Sequence, residues 1–385
     1  MNVLPMAAGS KDPAAARKEP PVTDKEIHVI YGSDPSKMTG DLLAKINLAA
    51  DLDPGMSVGL KPNLVVARKA SEGATTTPAV VEGVIRYLRD HGVKNIAIME
   101  GSWVGDNTKN AYRVCGYQEL ASRYNIPLYD LKDDATVVRR VGDLDLKICR
   151  RPLEVDFLIN MPVLKAHCQT YMTCALKNLK GCLPDSEKRR FHSLGLTKPI
   201  GYLAKAVKTG LTLIDGLAGD LTFEEGGNPV QMDRLIAGKD PVLLDAYAAA
   251  LLGFTTEEIA YIGVAARMGA GSADLSQAVI REYDIGLKNG DQFRPSGKAR
   301  RLGEKVVARQ ACSACYGGLI HALQRLDEQG RLGRLKGPLH IGQGFRDQQL
   351  DGLGIGSCTA KCSHSVAGCP PTARAIVDFL DKCLS

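Results

Sequence analysis

Apolar and polar positions fall in blocks that suit strands alternating with amphipathic helices. Residues 27–31 form an apolar run closed by Gly32, and residues 57–60 form a second that leads into Lys61-Pro62-Asn63. A loop of small and polar residues follows. Thr77-Pro78 then marks a helix start, because Thr77 can cap and Pro78 suits the first helical position. Val80, Val81, Val84, Ile85 and Leu88 recur at helical spacing, and Gly92 ends the helix. Residues 96–99 are the next strand. Strand, helix and strand of this length predict a right-handed parallel crossover.

Farther on, the pattern predicts a helix near 110–123, a short strand at 128–129 and a hairpin between Val137 and Cys149. Strands are expected at 157–161, 211–214 and 235–238. Asp240-Pro241 opens a helix that runs to Leu252, and residues 257–268 read as another. Residues 288–301 are polar and read as a linker. The fold class is therefore α/β: a mixed, largely parallel sheet in two lobes, followed by a C-terminal cysteine-rich α/β unit. The expected divisions are a disordered tail at 1–24, lobes at 25–155 and 156–287, and linker plus cysteine unit at 288–385.

Chemistry concentrates just past the buried strand at 157–161. Lys165, His167, Lys177, Asn178, Lys180 and His192 arrive within a short span, interleaved with Cys168, Cys174 and Cys182. Cations and imidazoles at the carboxyl end of a buried strand are typical of α/β active sites. Lys177 has apolar neighbours on both sides, which predicts a desolvated ammonium; the competing reading is a buried ion pair with Asp215 or Asp245. In the early loop, Lys61, Asn63, Thr76 and Thr77 are expected to bind a carboxylate or phosphate at the helix N-terminus. Asp215 and Asp245 complete the expected cofactor-binding set. The three cysteines of this stretch fit no ligand spacing.

The net charge of +6 is too modest, and the 5% of aromatic residues too few, for a nucleic-acid binder. No apolar run is long enough for a membrane span, and no signal-peptide pattern opens the chain, so a cytoplasmic, reducing setting is expected. There, eleven cysteines read as metal or redox ligands rather than disulfides. Cys312-Ser313-Ala314-Cys315, Cys358, Cys362 and Cys369-Pro370 sit on turns beside helix starts. A C-x-x-C pair with a later Cys-Pro matches iron–sulfur ligation. Cys312, Cys315, Cys358 and Cys369 are the expected ligands of one [4Fe-4S] cluster, with Cys362 to spare. A tetrathiolate zinc site would use the same residue types.

Read as a set, Lys61-Pro62-Asn63, Thr76-Thr77-Pro78, Asp156 to Pro162 with Lys165 and His167, Ala175 to Gly181, His192, Leu213 to Gly216 and Gly238 to Asp245 resemble the family named domain of unknown function 362. The resemblance implies a fold and a site, and for many members an iron–sulfur module, but no settled activity. A more distant resemblance is to the lactate racemase family, which uses a nickel-pincer nucleotide. His167, Lys177 and His192 fall on its spacing for a proton-transfer base, a cofactor-tethering lysine and a nickel ligand. That family's paired histidines should fall near 101–105, where this chain has Gly-Ser-Trp-Val-Gly. Two-sided proton transfer thus lacks one base, and the pincer cofactor is not expected.

The function expected from these readings is a redox enzyme. A small anionic substrate would sit at Lys165, His167, Lys177 and His192, and electrons would enter through the cluster from a partner such as a ferredoxin. The rivals are a racemase- or epimerase-like enzyme with a lysine-tethered cofactor, and a non-enzymatic electron carrier or cluster-assembly partner.

Overall fold

The computed structural model describes residues 23–384, so all but the last two residues of the expected N-terminal tail lie outside the described residues. One eight-stranded sheet organises the chain. Its members are β1 (Glu26–Tyr31), β2 (Ser57–Pro62), β3 (Asn95–Glu100), β4 (Leu128–Asp130), β7 (Phe157–Met161), β10 (Leu211–Asp220), β11 (Pro229–Gly238) and β12 (Val279–Tyr283), in the order β12-β1-β11-β10-β7-β2-β3-β4. β11 runs antiparallel to both of its neighbours; every other pairing is parallel. A hairpin of β5 (Thr136–Val141) and β6 (Leu144–Cys149) stands apart from this sheet, as does a small ladder of β8 (Lys165–His167) and β9 (Tyr171–Thr173).

Side chains alternate across the sheet and feed an apolar core on each face. Leu158 joins one core, while Phe157, Ile159 and Met161 join the other. The Pro78–Asp90 helix packs Val80, Val81, Val84, Ile85 and Leu88 into the second core, as its spacing predicts.

The sheet corrects several expectations. β1 to β4 come from the first expected lobe and β7, β10, β11 and β12 from the second, so the division at 155/156 falls inside one sheet. The helix expected at 110–123 is two helices, Thr108–Val114 and Tyr117–Tyr124, broken where Gly116 takes φ +80°. β10 continues past Asp215 through an irregularity between Gly216 and Ala218, which explains why its pattern stops short in the sequence. The last helix of this part is shorter than expected, Ala260–Arg267, and the expected linker contains a short helix, Lys298–Leu302.

The C-terminal unit has its own parallel sheet, β13 (Val306–Ala308), β14 (Leu339–Ile341), β15 (Leu350–Ile355) and β16 (Cys362–Val366), in chain order. Helices Ser313–Glu328 and Ala373–Leu384 cover it with Leu319, Ile320, Leu323, Ile376 and Leu380. Phe223, from the loop between β10 and β11, inserts into this core and ties the two sheets together. Among the described residues, no helix is long and apolar enough to cross a membrane.

Candidate functional site

The carboxyl ends of β2, β3 and β7 meet at one place, and each brings a polar side chain. Lys61 lies opposite Asn160 in the β2–β7 register. Asn160 donates to the Ala175 carbonyl at 2.9 Å and accepts from Asn178 at 2.8 Å. Those two bonds pin the one-turn helix Ala175–Asn178 over the sheet. Asp245 holds the other side of that turn, accepting the N–H groups of Ala175 at 2.7 Å and Leu176 at 3.2 Å. Burial raises the Asp245 carboxyl to about 7. Asp245 is therefore a clamp on the turn that carries Lys177, bonded to two backbone N–H groups and to the Cys174 thiol.

The partner of Lys177 is Glu224. Lys177 Nζ lies 3.5 Å from Glu224 Oε2 and donates to Thr173 Oγ1 at 3.2 Å. His167 also meets the Glu224 carboxylate, through Nε2. The N–H groups of Gln169 and Thr170 address His167 Nδ1 at 3.0 and 3.2 Å, so Nδ1 is the acceptor and Nε2 carries the hydrogen. Burial draws the His167 imidazole down to about 4. The same burial opposes ionisation of Glu224, but His167 and Lys177 outweigh it and hold its carboxyl well below the usual range. Asp220 fixes the loop that presents Glu224, accepting from the N–H groups of Thr222 at 2.7 Å, Phe223 at 2.9 Å and Asn228 at 2.9 Å.

Lys61 is fully buried and pairs with Glu100 at the end of β3. Gly181 packs on this pair so closely that a Cβ there would stand 2.1 Å from Glu100 Oε1. Lys165 spends its ammonium on the carbonyls of Ala74 at 2.6 Å and Glu224 at 2.8 Å, and burial draws it down to about 7. Lys188 donates to the carbonyls of Gly101 at 3.0 Å and Ser102 at 2.7 Å.

These groups border a cleft of about 650 Å³, lined by Asn63, Glu100, Lys165, Lys177, Asn178, Lys180, Lys188, His192 and Glu224, and by Cys312, Ser313 and Ala314 from the C-terminal unit. Lys177, Lys165 and His192 thus meet at one cleft. His167 stands behind Glu224 and lines a separate groove with Cys168 and Tyr171.

Thr76, Thr77 and Asp215 do not face this cleft. Thr76 Oγ1 accepts from Asn63 N–H at 2.8 Å and donates to the Met161 carbonyl at 2.7 Å. The Thr77 hydroxyl makes no cap bond; its N–H donates to Asp215 at 2.7 Å. The helix N-terminus expected to hold a ligand anion already holds a carboxylate of the chain itself.

Cys312, Cys315, Cys358 and Cys369 line one cavity of about 380 Å³, together with Arg189, Gln343 and Arg346. Arg346 donates to Cys358 Sγ at 3.8 Å and Gln343 to Cys312 Sγ at 3.6 Å. Burial, reinforced by the other three thiols, pushes Cys315 up to about 12. Among the described residues, no three His, Cys, Asp or Glu side chains are grouped to hold a single metal ion. Cys362 starts β16 and is not among the residues lining this cavity. Cys174 packs beside Asp245, and Cys182 beside Lys61 and Glu100, so these two occupy separate surroundings.

Glu224, Glu100 and Lys188 were not singled out by sequence reasoning. Glu100 carried a signal, an acid at the end of a buried strand. The glycine pair after Glu224-Glu225 marks only a loop.

A protein described as thylakoid-associated, from Synechocystis sp., is 26% identical over 223 residues, which cover 56% of this chain and 69% of that protein. The lactate racemase apoprotein from Thermoanaerobacterium thermosaccharolyticum superposes with a TM-score of 0.35 at 13% identity, covering 55% of this chain and only 53% of the racemase. The family pattern of the domain of unknown function DUF362 matches residues 58–250, just over half of the chain and the stretch that supplies Lys61, Glu100, Lys177, His192 and Glu224. The chain belongs to the DUF362 family.

Proposed function

We propose that this protein binds one [4Fe-4S] cluster on Cys312, Cys315, Cys358 and Cys369 and uses it in a redox reaction on a small anionic substrate held in the adjoining cleft. The observation that carries this reading is Cys312, which borders both the thiol cavity and the lysine-lined cleft. A cluster bound there would exchange single electrons, which a ferredoxin-class partner can supply.

The donor set suits such a group. Four thiols line one cavity, and among the described residues no three are grouped to hold a single metal ion, which favours a cage over one zinc ion. Burial, with the neighbouring thiols adding to it, keeps Cys312 and Cys315 protonated until a cationic group arrives, so loading should release protons. Arg189 and Lys180 add positive charge beside Cys312, which favours the anionic thiolate form.

The remaining roles belong to the cleft. Lys177, Lys180 and Lys188 give it a positive character that favours carboxylate or phosphate groups. His167 and Glu224 hold Lys177 in place from behind. The test is iron and sulfide analysis of single Cys→Ser variants. Cys312, Cys315, Cys358 and Cys369 should each be needed for full iron content, and Cys362→Ser should keep it. Equal loss from Cys362→Ser would overturn this ligand set.

A further inference from the structure

Three consecutive residues of the loop between β10 and β11 meet three different surroundings. Phe223 lies in the core of the C-terminal unit, with its ring centroid 4.6 Å from that of His321. Glu224 turns to Lys177 and His167. Glu225 returns to helix Ser313–Glu328. Its Oε2 lies 3.3 Å from His321 Nε2, and a Cβ at Gly317 would stand 1.7 Å from its Oε1. Gly317 is a buried helical residue, so the room it leaves for Glu225 explains the glycine, and backbone conformation does not.

One helix therefore grips both neighbours of Glu224, and that helix starts at Cys312 and carries Cys315 in its first turn. Adjacent Cα atoms stay about 3.8 Å apart, so a shift of Phe223 or Glu225 carries Glu224 with it. The charge of Lys177 depends on that placement. Burial works against its ammonium, and Glu224 leads the groups that oppose burial, followed by Cys168 and Glu225. Lys165, Lys180, His167 and His192 also face Lys177, and none of them is an acid.

We propose that the C-terminal unit governs the charge on Lys177: helix Ser313–Glu328, by gripping Phe223 and Glu225, sets the Glu224 carboxylate where it keeps the Lys177 ammonium charged. Phe223, Glu225 and Gly317 are then positioning residues that act on the cleft through Glu224. The inference goes beyond the cluster reading and needs no metal, because the chain itself makes every contact in it. With the C-terminal unit seated, Lys177 is a cation suited to an anion; with the grip released, it becomes a neutral amine, suited to act as base or nucleophile.

The test is the pH profile of Lys177 acylation by acetic anhydride in the full chain, read by peptide mass, with Lys188 as internal reference and iron measured on the same samples. Only the neutral amine reacts, so loss of the counter-charge lowers the midpoint. Gly317→Ala keeps every charge and displaces Glu225. Phe223→Ala keeps every charge and frees the loop from the core. Each should lower the Lys177 midpoint by about one pH unit, as Glu224→Gln does, and so raise acylation below the midpoint about tenfold. Phe223→Leu should keep the native profile. Adding Glu225→Ala to Gly317→Ala removes the side chain that the new methyl strikes, and should return the midpoint to that of Glu225→Ala alone. The Lys188 midpoint should not move, since that amine meets the Gly101 and Ser102 carbonyls and Asp185. Should Phe223→Ala fail to fold, Gly317→Ala decides. An unmoved Lys177 midpoint in Gly317→Ala would overturn the proposal and leave the placing of Glu224 to the Asp220 turn alone. Equal shifts at Lys177 and Lys188 would overturn it too, because they mark general loosening. Iron retained with an unmoved profile would sink this inference and spare the cluster; a moved profile without any iron would support it and sink the cluster.

Discussion

Replacing Glu224 with Gln keeps the shape of the side chain and removes its charge. In the native protein that carboxylate is 2% exposed, faces His167 Nε2–H and lies 3.5 Å from Lys177 Nζ. The amide leaves a buried ammonium without its acid. Breaking a buried pair by removing one partner costs about 3–5 kcal/mol. At about 1.2 °C per kcal/mol for a chain of 385 residues, the melting temperature should fall by about 4–6 °C. The loss should depend on pH in a definite sense. Lys177 is already drawn down by burial, and without Glu224 it sheds its proton more readily. The deficit should then be largest near about pH 6 and smaller near about pH 9, where a neutral amine needs no counter-charge. Thermal unfolding followed by circular dichroism at the two pH values reads this directly. Lys177→Met in the Glu224→Gln background should recover part of the loss, because it removes the stranded charge. A Glu224→Gln protein that melts with the wild type at both pH values would refute the pairing argument.

Other outcomes follow from the same geometry. Asp245→Ala should cost about 1–3 kcal/mol for each of the two N–H groups it orphans, and should loosen the turn carrying Lys177 while leaving iron content unchanged; denaturant unfolding with iron analysis checks both. Thr76→Ala should lower stability by about 1–3 kcal/mol, since its hydroxyl bridges Asn63 and Met161, while phosphate or acetate binding stays within twofold of wild type. Burial draws the folded His167 imidazole down to about 4 from an ordinary value of about 6.5, so the unfolded chain takes up the proton first as pH falls. Stability should therefore decline between about pH 6.5 and 4, by about 3 kcal/mol from this group, and His167→Gln should flatten that stretch of the stability–pH curve.

Much of the fold was readable because burial leaves a period. The Pro78–Asp90 helix and the strands flanking it repeat their apolar residues at the spacing each element needs. What could not be read was order across the sheet. Nothing local says that β10 and β11 insert between β1 and β7, so two lobes were expected where one sheet runs through. The same limit governs the site. Lys177 and His192 sit near one another in the chain, and their meeting in one cleft followed from a single strand end. Glu224 lies 47 positions from Lys177, on a loop whose position Asp220 and Phe223 decide. Asp215 shows the converse. An acid at a strand end has the pattern of a functional carboxylate, yet its neighbour in space is the Thr77 N–H, and it serves as that helix's anion.

The cluster is the claim on which the functional reading depends. Anaerobic purification followed by iron, acid-labile sulfide and zinc analysis tests it most directly. A brown protein with roughly four iron atoms and matching sulfide per chain is expected, bleached in Cys312→Ser. A colourless protein carrying one zinc per chain, or no metal at all, would contradict it.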